Sequence, residues 1–237
     1  LVLVVMGISF TACRNDDDDV TGQIPEEPRD EQQLKDADTL ITYLGSHYYN
    51  SGAFIGNPNP SMTELVITKL ADGESVPVDH TLLMSAVEEK TTNYEDQEYV
   101  YYILRINQGG GPIEDKPTFS DNVRLNYSGF ITSGEVFDST ANPTQFDLTG
   151  LIAGWSRVIP EFNTAESFMI NPDGTVGYND VGVGVMFLPS GLGYFSSGSN
   201  GIAPYSCLIF KFDLLQSETN DHDLDGIPSF DENLDSD

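Results

Sequence analysis

Val123–Thr140 reads VRLNYSGFITSGEVFDST, an apolar-rich run, glycines at 129 and 134, and then a Phe-Asp pair. Taken alone it is a β-hairpin with two competing uses. Its aromatics fill a core, or Tyr127, Phe137 and Asp138 converge on one face to grip a ligand, with Gly129 and Gly134 as the turns that bring them together. Working outward, YVYYILRI (99–106), TQFDLT (144–149), VGVGVMFLP (181–189) and SCLIFKFDLL (206–215) are further short runs rich in β-branched and aromatic residues. Each is bounded by Gly, Pro, Asp or Ser, the punctuation of strands. LIAGWSRV (151–158) reads as one short helix among them. Many short strands and one short helix predict an α+β domain with an antiparallel sheet.

Four stretches, in order, carry a family resemblance. VRLNYSGFITSGEVFDST is similar to V-x-V-x-Y-x-G-x-x-x-x-G-x-x-F-D-S-S, LIAGW (151–155) to V-I-x-G-W, LPSGLGYF (188–195) to P-x-x-x-A-Y-G, and GIAPYSCLIFKFDLL (201–215) to I-P-P-x-x-x-L-x-F-x-V-x-L. Residues from about Tyr99 to Leu215 thus resemble the FK506-binding-protein (FKBP) type of peptidyl-prolyl cis-trans isomerase. The resemblance implies a strongly curved antiparallel sheet wrapped on one short helix. It implies a proline pocket with Trp155 as floor, Tyr127, Phe137 and Phe210 as aromatic walls, and Leu151 and Ile152 at the rim. The Ile152 backbone N–H and the Tyr194 hydroxyl would hold substrate carbonyls, Ile202 would close the apolar side, and Asp138 would be the lone carboxylate. No cofactor is implied for catalysis. Proline-containing polypeptides are the implied substrates, and FK506-like macrolides the implied ligands.

The chain departs from the pattern at several points. Thr144 stands where an aromatic is usual, Phe195 where a glycine follows the tyrosine, and Ala203 replaces the first proline of I-P-P while Pro204 keeps the second. NTAESFMINPDGTVGYNDVG (163–182) is an insertion with a turn signal at NPDG. Two functions therefore stay open at this stage: an isomerase assisting the folding of exported or envelope proteins, and a weakly catalytic or non-catalytic surface protein that uses the scaffold to bind proline peptides.

The net charge of −28 is concentrated at the ends: Arg14–Glu31 and Glu218–Asp237 supply half of it. Such acidity disfavours phosphate backbones, so nucleic acid is not an expected partner. Residues 1–12 are an apolar run too short to span a bilayer and read as a signal peptide. Ser9–Cys13 resembles a relaxed lipobox, with Cys13 as the lipidated residue, and the RNDDDD that follows resembles the export tag of surface lipoproteins in Bacteroidetes-like bacteria. The expected location is the cell envelope, with a lipid anchor in the outer membrane. Residues 13–31 read as an acidic tether and 32–97 as a helix plus an accessory region. Residues 98–217 read as the isomerase domain and 218–237 as a separate tail.

Within residues 32–97, Leu34, Ala37, Leu40, Ile41 and Leu44 have helical spacing and Gly45 marks an end. A helix this short disfavours the homodimer that N-terminal helices build in some envelope relatives. In the tail, Asp221, Asp223, Asp225 and Glu232 occupy positions 1, 3, 5 and 12 of a calcium-loop pattern, with Gly226 at 6. Calcium at the tail is the expected metal, and a solvated acidic tail is the rival reading.

Overall fold

The computed structural model describes residues 26–199 and 201–232. The expected signal peptide, Cys13 and the tether as far as residue 25 lie outside the described residues. The chain begins with α1 (Arg29–Ser46), whose first turn carries Asp30 and Glu31, favourable charges at the positive end of a helix dipole. β1 (His47–Tyr49), β2 (Ile67–Lys69) and β3 (Thr81–Leu82) then form a small antiparallel sheet in the order β2-β1-β3. β4 (Glu88–Tyr94) and β5 (Gln97–Asn107) follow as a hairpin. Its two-residue turn holds Glu95 and Asp96 at φ +50° and +59°, the geometry that matches strand twist. The division expected at residue 98 therefore falls inside a hairpin, because β4 is an edge of the main sheet.

The remaining elements are β6 (Asn122–Ile131), β7 (Val136–Ser139), β8 (Thr144–Asp147), α2 (Ala153–Val158), β9 (Ser167–Ile170), β10 (Val176–Asn179), β11 (Gly182–Leu188), β12 (Leu208–Glu218) and α3 (Ser229–Glu232). The main sheet is antiparallel in the order β4-β5-β11-β12-β6. The free edge of β6 is shared: its first residues pair with β8, from Asn122↔Asp147 to Leu125↔Thr144, and Ser128–Phe130 pair with β7. This split edge carries the chain out and back across one rim of the sheet. β9 and β10 form a separate hairpin from the insertion, turned by NPDG with Gly174 at φ +84°.

Strand alternation gives the sheet two buried faces. On one, Tyr99, Tyr101, Ile103, Met186, Leu188, Phe210 and Phe212 pack around α2. On the other, Tyr102, Leu104, Val185, Phe187, Cys207 and Ile209 pack against Leu40, Tyr43 and Leu44 of α1 and Leu65 and Leu83 of the accessory region. All seven residues of β11 are buried in consequence.

The helix is where the spacing places it, but the buried stripe is rotated. Leu34 is 73% exposed and Ile41 48%, whereas Gln32, Gln33 and Asp36 are buried. Asp36 is turned inward because it has partners there: it accepts from Ser190 N at 2.8 Å, Ser190 Oγ at 2.6 Å and Gln32 Nε2 at 2.6 Å. Residues 26–31, expected to be tether, are docked as well. The Arg29 guanidinium lies 4.2 Å from the centre of the Phe195 ring and donates to Tyr99 Oη at 3.1 Å, and Glu27 N donates to Tyr205 Oη at 2.9 Å. Among the described residues no helix is long and apolar enough to cross a membrane.

Candidate active site

At the β7–β8 rim of the sheet a cavity of about 230 Å³ opens over the N-terminal end of α2. Three structural choices build it. Gly154 lets α2 settle on β11, since a Cβ there would meet Leu188 Cδ1 at 2.2 Å. That seat puts Trp155, 4% exposed, beneath the cavity. Gly129 is not a turn but the middle of β6, where a Cβ would lie 2.7 Å from both Phe137 and Phe210. Its missing side chain is the space in which those two rings meet edge to face at 5.4 Å. Gly134, at φ +87°, is the turn that the sequence suggested.

The walls are a continuous aromatic ring system. Trp155 lies 5.0 Å from Phe210 and 5.5 Å from Tyr127, and Tyr127 meets Phe146 at 5.7 Å. These centroid distances are those of favourable tilted and T-shaped pairs. Tyr127 Oη donates a short hydrogen bond to Asp138 Oδ2. Burial first, and then the hydrogen bond to Asp138 and that residue's charge, push the Tyr127 phenol well above its usual range, so it stays a protonated donor. The backbone N–H of Ile152, just before α2, makes no hydrogen bond among the described residues, and neither does the Tyr194 hydroxyl.

Of the residues expected from the resemblance, Tyr127, Phe137, Asp138, Leu151, Ile152, Trp155, Tyr194 and Phe210 all line this cavity. Ile202 does not. It is 6% exposed, in the same core cluster as Trp155 and Phe210. Leu125 and Phe146 line it too and were missed. Phe146 also corrects the reading of Thr144: the threonine is exposed, and the aromatic comes two residues later on the same strand. Strand periodicity could have found it, because positions two apart share a face.

Phe195 occupies the usual glycine position at φ +46°, a left-handed conformation that costs a bulky residue roughly 1–2 kcal/mol. Its ring is buried between Arg29 and Tyr205, which offsets that cost.

In the tail, carboxylate oxygens of Asp221, Asp223 and Asp225 lie within 4.8 Å of one another. Glu232, on α3, is outside that group; partial desolvation and then the charges of Asp223, Asp225 and Asp221 push its carboxyl up. The tail is docked, with Asn220 N donating to Asp121 and His222 Nε2 2.9 Å from Asp147 Oδ2.

Residues 114–215 match the model of the family described as FKBP-type peptidyl-prolyl cis-trans isomerase. The chain is 29% identical over 114 residues to the FKBP-type 22 kDa peptidyl-prolyl cis-trans isomerase of Escherichia coli K12, covering 47% of each chain. It is 29% identical over 119 residues to the peptidyl-prolyl cis-trans isomerase Mip of Coxiella burnetii, covering 48% of this chain and 43% of that one. It is 32% identical over 104 residues to the outer membrane protein MIP of Legionella longbeachae, covering 42% and 38%. The chain thus spans less than half the length of these relatives.

Proposed function

We propose that this chain, whose residues 114–215 form an FKBP-type domain, is a peptidyl-prolyl cis-trans isomerase acting on proline-containing polypeptides of the cell envelope. The observation that carries the reading is the convergence of eight expected side chains, from four separated motifs, on one small aromatic cavity.

Rotation about an X-Pro bond meets a barrier of about 18–20 kcal/mol because amide resonance is lost midway. No covalent bond is made or cut, so the site needs neither nucleophile nor metal. The planar amide is the more polar state, and water favours it. A cavity floored by Trp155 and walled by Tyr127, Phe137 and Phe210 strips that water while it grips the pyrrolidine ring. The Ile152 N–H and the Tyr194 hydroxyl hold flanking carbonyls in a turn suited to the twisted bond, and Asp138 fixes Tyr127 through its hydroxyl. A thousand-fold acceleration requires about 4 kcal/mol of binding that favours the twisted state over the planar one.

A protease-coupled assay on a proline peptide tests this. Turnover above the uncatalysed rate is expected, competed by an FK506-like macrolide, with kcat/KM falling roughly tenfold in Asp138→Asn, which weakens a charge-assisted hydrogen bond. Tight binding of peptide or macrolide without any acceleration would instead favour the binding-only reading, for which the bulky Phe195 beside Tyr194 is the supporting observation. The envelope location rests on the Cys13 lipobox resemblance and on the name of the Legionella longbeachae relative.

The tail is proposed to bind one Ca²⁺ through Asp221, Asp223 and Asp225, on the strength of their clustered carboxylates and of Gly226 at φ +94°, with Glu232 as fourth ligand on its place in the loop pattern alone. Calorimetric titration is expected to show binding that Asp223→Ala abolishes; flat traces from both proteins would remove the proposal.

A further inference from the structure

A larger cavity, about 620 Å³, lies on the opposite face of the sheet, between β2 of the accessory region and the β6–β7 hairpin. Its lining is chemically unlike the rest of the molecule. The chain has 38 Asp and Glu against ten Lys and Arg, yet among the described residues no carboxylate lines this groove, while Lys69, Lys211 and His47 do. Elsewhere Lys35, Lys90 and Arg105 are each held in ion pairs with glutamates. Among the described residues Lys69 and Lys211 form none.

We propose that this groove is an anion-binding site, separate from the proline pocket, that takes a phosphate or carboxylate carried on an apolar body. Lys211 projects from the α1-facing side of β12, half-buried, and among the described residues gives one hydrogen bond, to Leu65 O at 3.1 Å. Its ammonium has three donors, so two remain for a ligand. Burial disfavours its charge, only partly offset by the more distant Asp213, which is engaged by Ser61 and Met62, and a bound anion would supply a direct partner. Lys69 is exposed at the mouth. The His47 ring is stacked on Tyr43 at 3.8 Å, with its Nδ1 engaged by Tyr43 O.

The hydroxyls of Ser128, Thr132 and Ser133 add neutral donors. Phe130, Leu65 and Val136 supply the apolar floor that calls for more than a bare ion. The acidity of the whole chain does not forbid this. Asp213, the carboxylate that acts on Lys211, is already engaged by Ser61 Oγ and Met62 N, and exposed charges further off than about 8 Å are largely screened at physiological ionic strength. The lysines on the spot decide.

The test is calorimetry on the full chain with hexyl phosphate, hexanoate and inorganic phosphate, at ionic strength fixed with sodium chloride. One site is expected, tighter for the hexyl compounds than for inorganic phosphate. Affinity should fall roughly tenfold or more when Lys69→Ala and Lys211→Met are combined. Lys69→Ala alone replaces an exposed side chain, so it carries the test if the double variant does not fold; it should weaken binding severalfold and leave isomerase turnover unchanged.

Sedimentation with phosphatidylglycerol vesicles separates the sources: binding of hexyl phosphate without vesicle capture identifies a free ligand, and binding of both a lipid headgroup. No heat from any probe at about 1 mM, equal affinity in wild type and variants, or competition by a saturating proline peptide would each overturn the proposal. Because the peptide assay and this titration read different faces of the sheet, failure of one leaves the other standing.

Discussion

Trp155→Ala is expected to abolish isomerase turnover and to cost about 3–5 kcal/mol of stability, the range for emptying a large aromatic from a core. The two losses have one cause. Trp155 is buried, and its ring contacts Tyr127, Phe210 and Phe212 together, so it is both the floor of the pocket and the keystone between α2 and the sheet. Removing it leaves Tyr127 without the surface that orients it toward Asp138. Trp155→Phe separates the roles: most of the apolar contact is kept, so the urea midpoint should shift much less while kcat/KM still falls, since a smaller ring leaves the pyrrolidine without a flat seat. Urea unfolding and the protease-coupled assay on both variants measure this. Wild-type kcat/KM in Trp155→Ala would sink the assignment of this cavity as the catalytic site.

What could be read in the sequence followed from local pattern. Strand-like runs bounded by glycine and proline, the helix at LIAGW and the NPDG turn are all short-range signals, and they lie where they were expected. Phe146 was hidden because the motif pointed at Thr144, although strand alternation pairs the two. Gly129 looked like a turn because its role comes from rings on two other strands, a contact that no local pattern carries. The accessory region was opaque for a related reason: β1, β2 and β3 are two or three residues each and pair across long loops, too short to show a period. The buried face of α1 was misplaced for a physical reason. The apolar Leu34 and Ile41 suggested one stripe, but hydrogen bonds to Asp36 hold the neighbouring one inward.

That carboxylate carries the second large effect: Asp36→Ala is expected to cost about 2–4 kcal/mol, because it leaves buried donors with no acceptor. Ser190 is fully buried, and both its N–H and its hydroxyl give to Asp36. The Ser190 carbonyl in turn accepts from Gly193 N at 2.9 Å and Phe195 N at 3.0 Å, the residues on either side of Tyr194. Asp36 therefore pins, through one serine, the loop that presents the Tyr194 hydroxyl to the pocket. Asp36→Ala should lower kcat/KM as well as the urea midpoint, although Asp36 lies on the far face of the sheet. Asp36→Asn keeps an oxygen for Ser190 and should retain most of both.

Burial raises the Asp36 carboxyl pKa above its ordinary value, outweighing the hydrogen bonds that lower it. Its advantage over asparagine is then fully present below the unfolded-state pKa near 3.9 and is lost as pH rises through the folded value. Urea unfolding of wild type and Asp36→Asn from acid to neutral pH should show that gap narrowing. If Asp36→Ala unfolded at the wild-type midpoint with wild-type turnover, α1 would be an appendage; the hydrogen bonds through Ser190 make it part of the pocket's support.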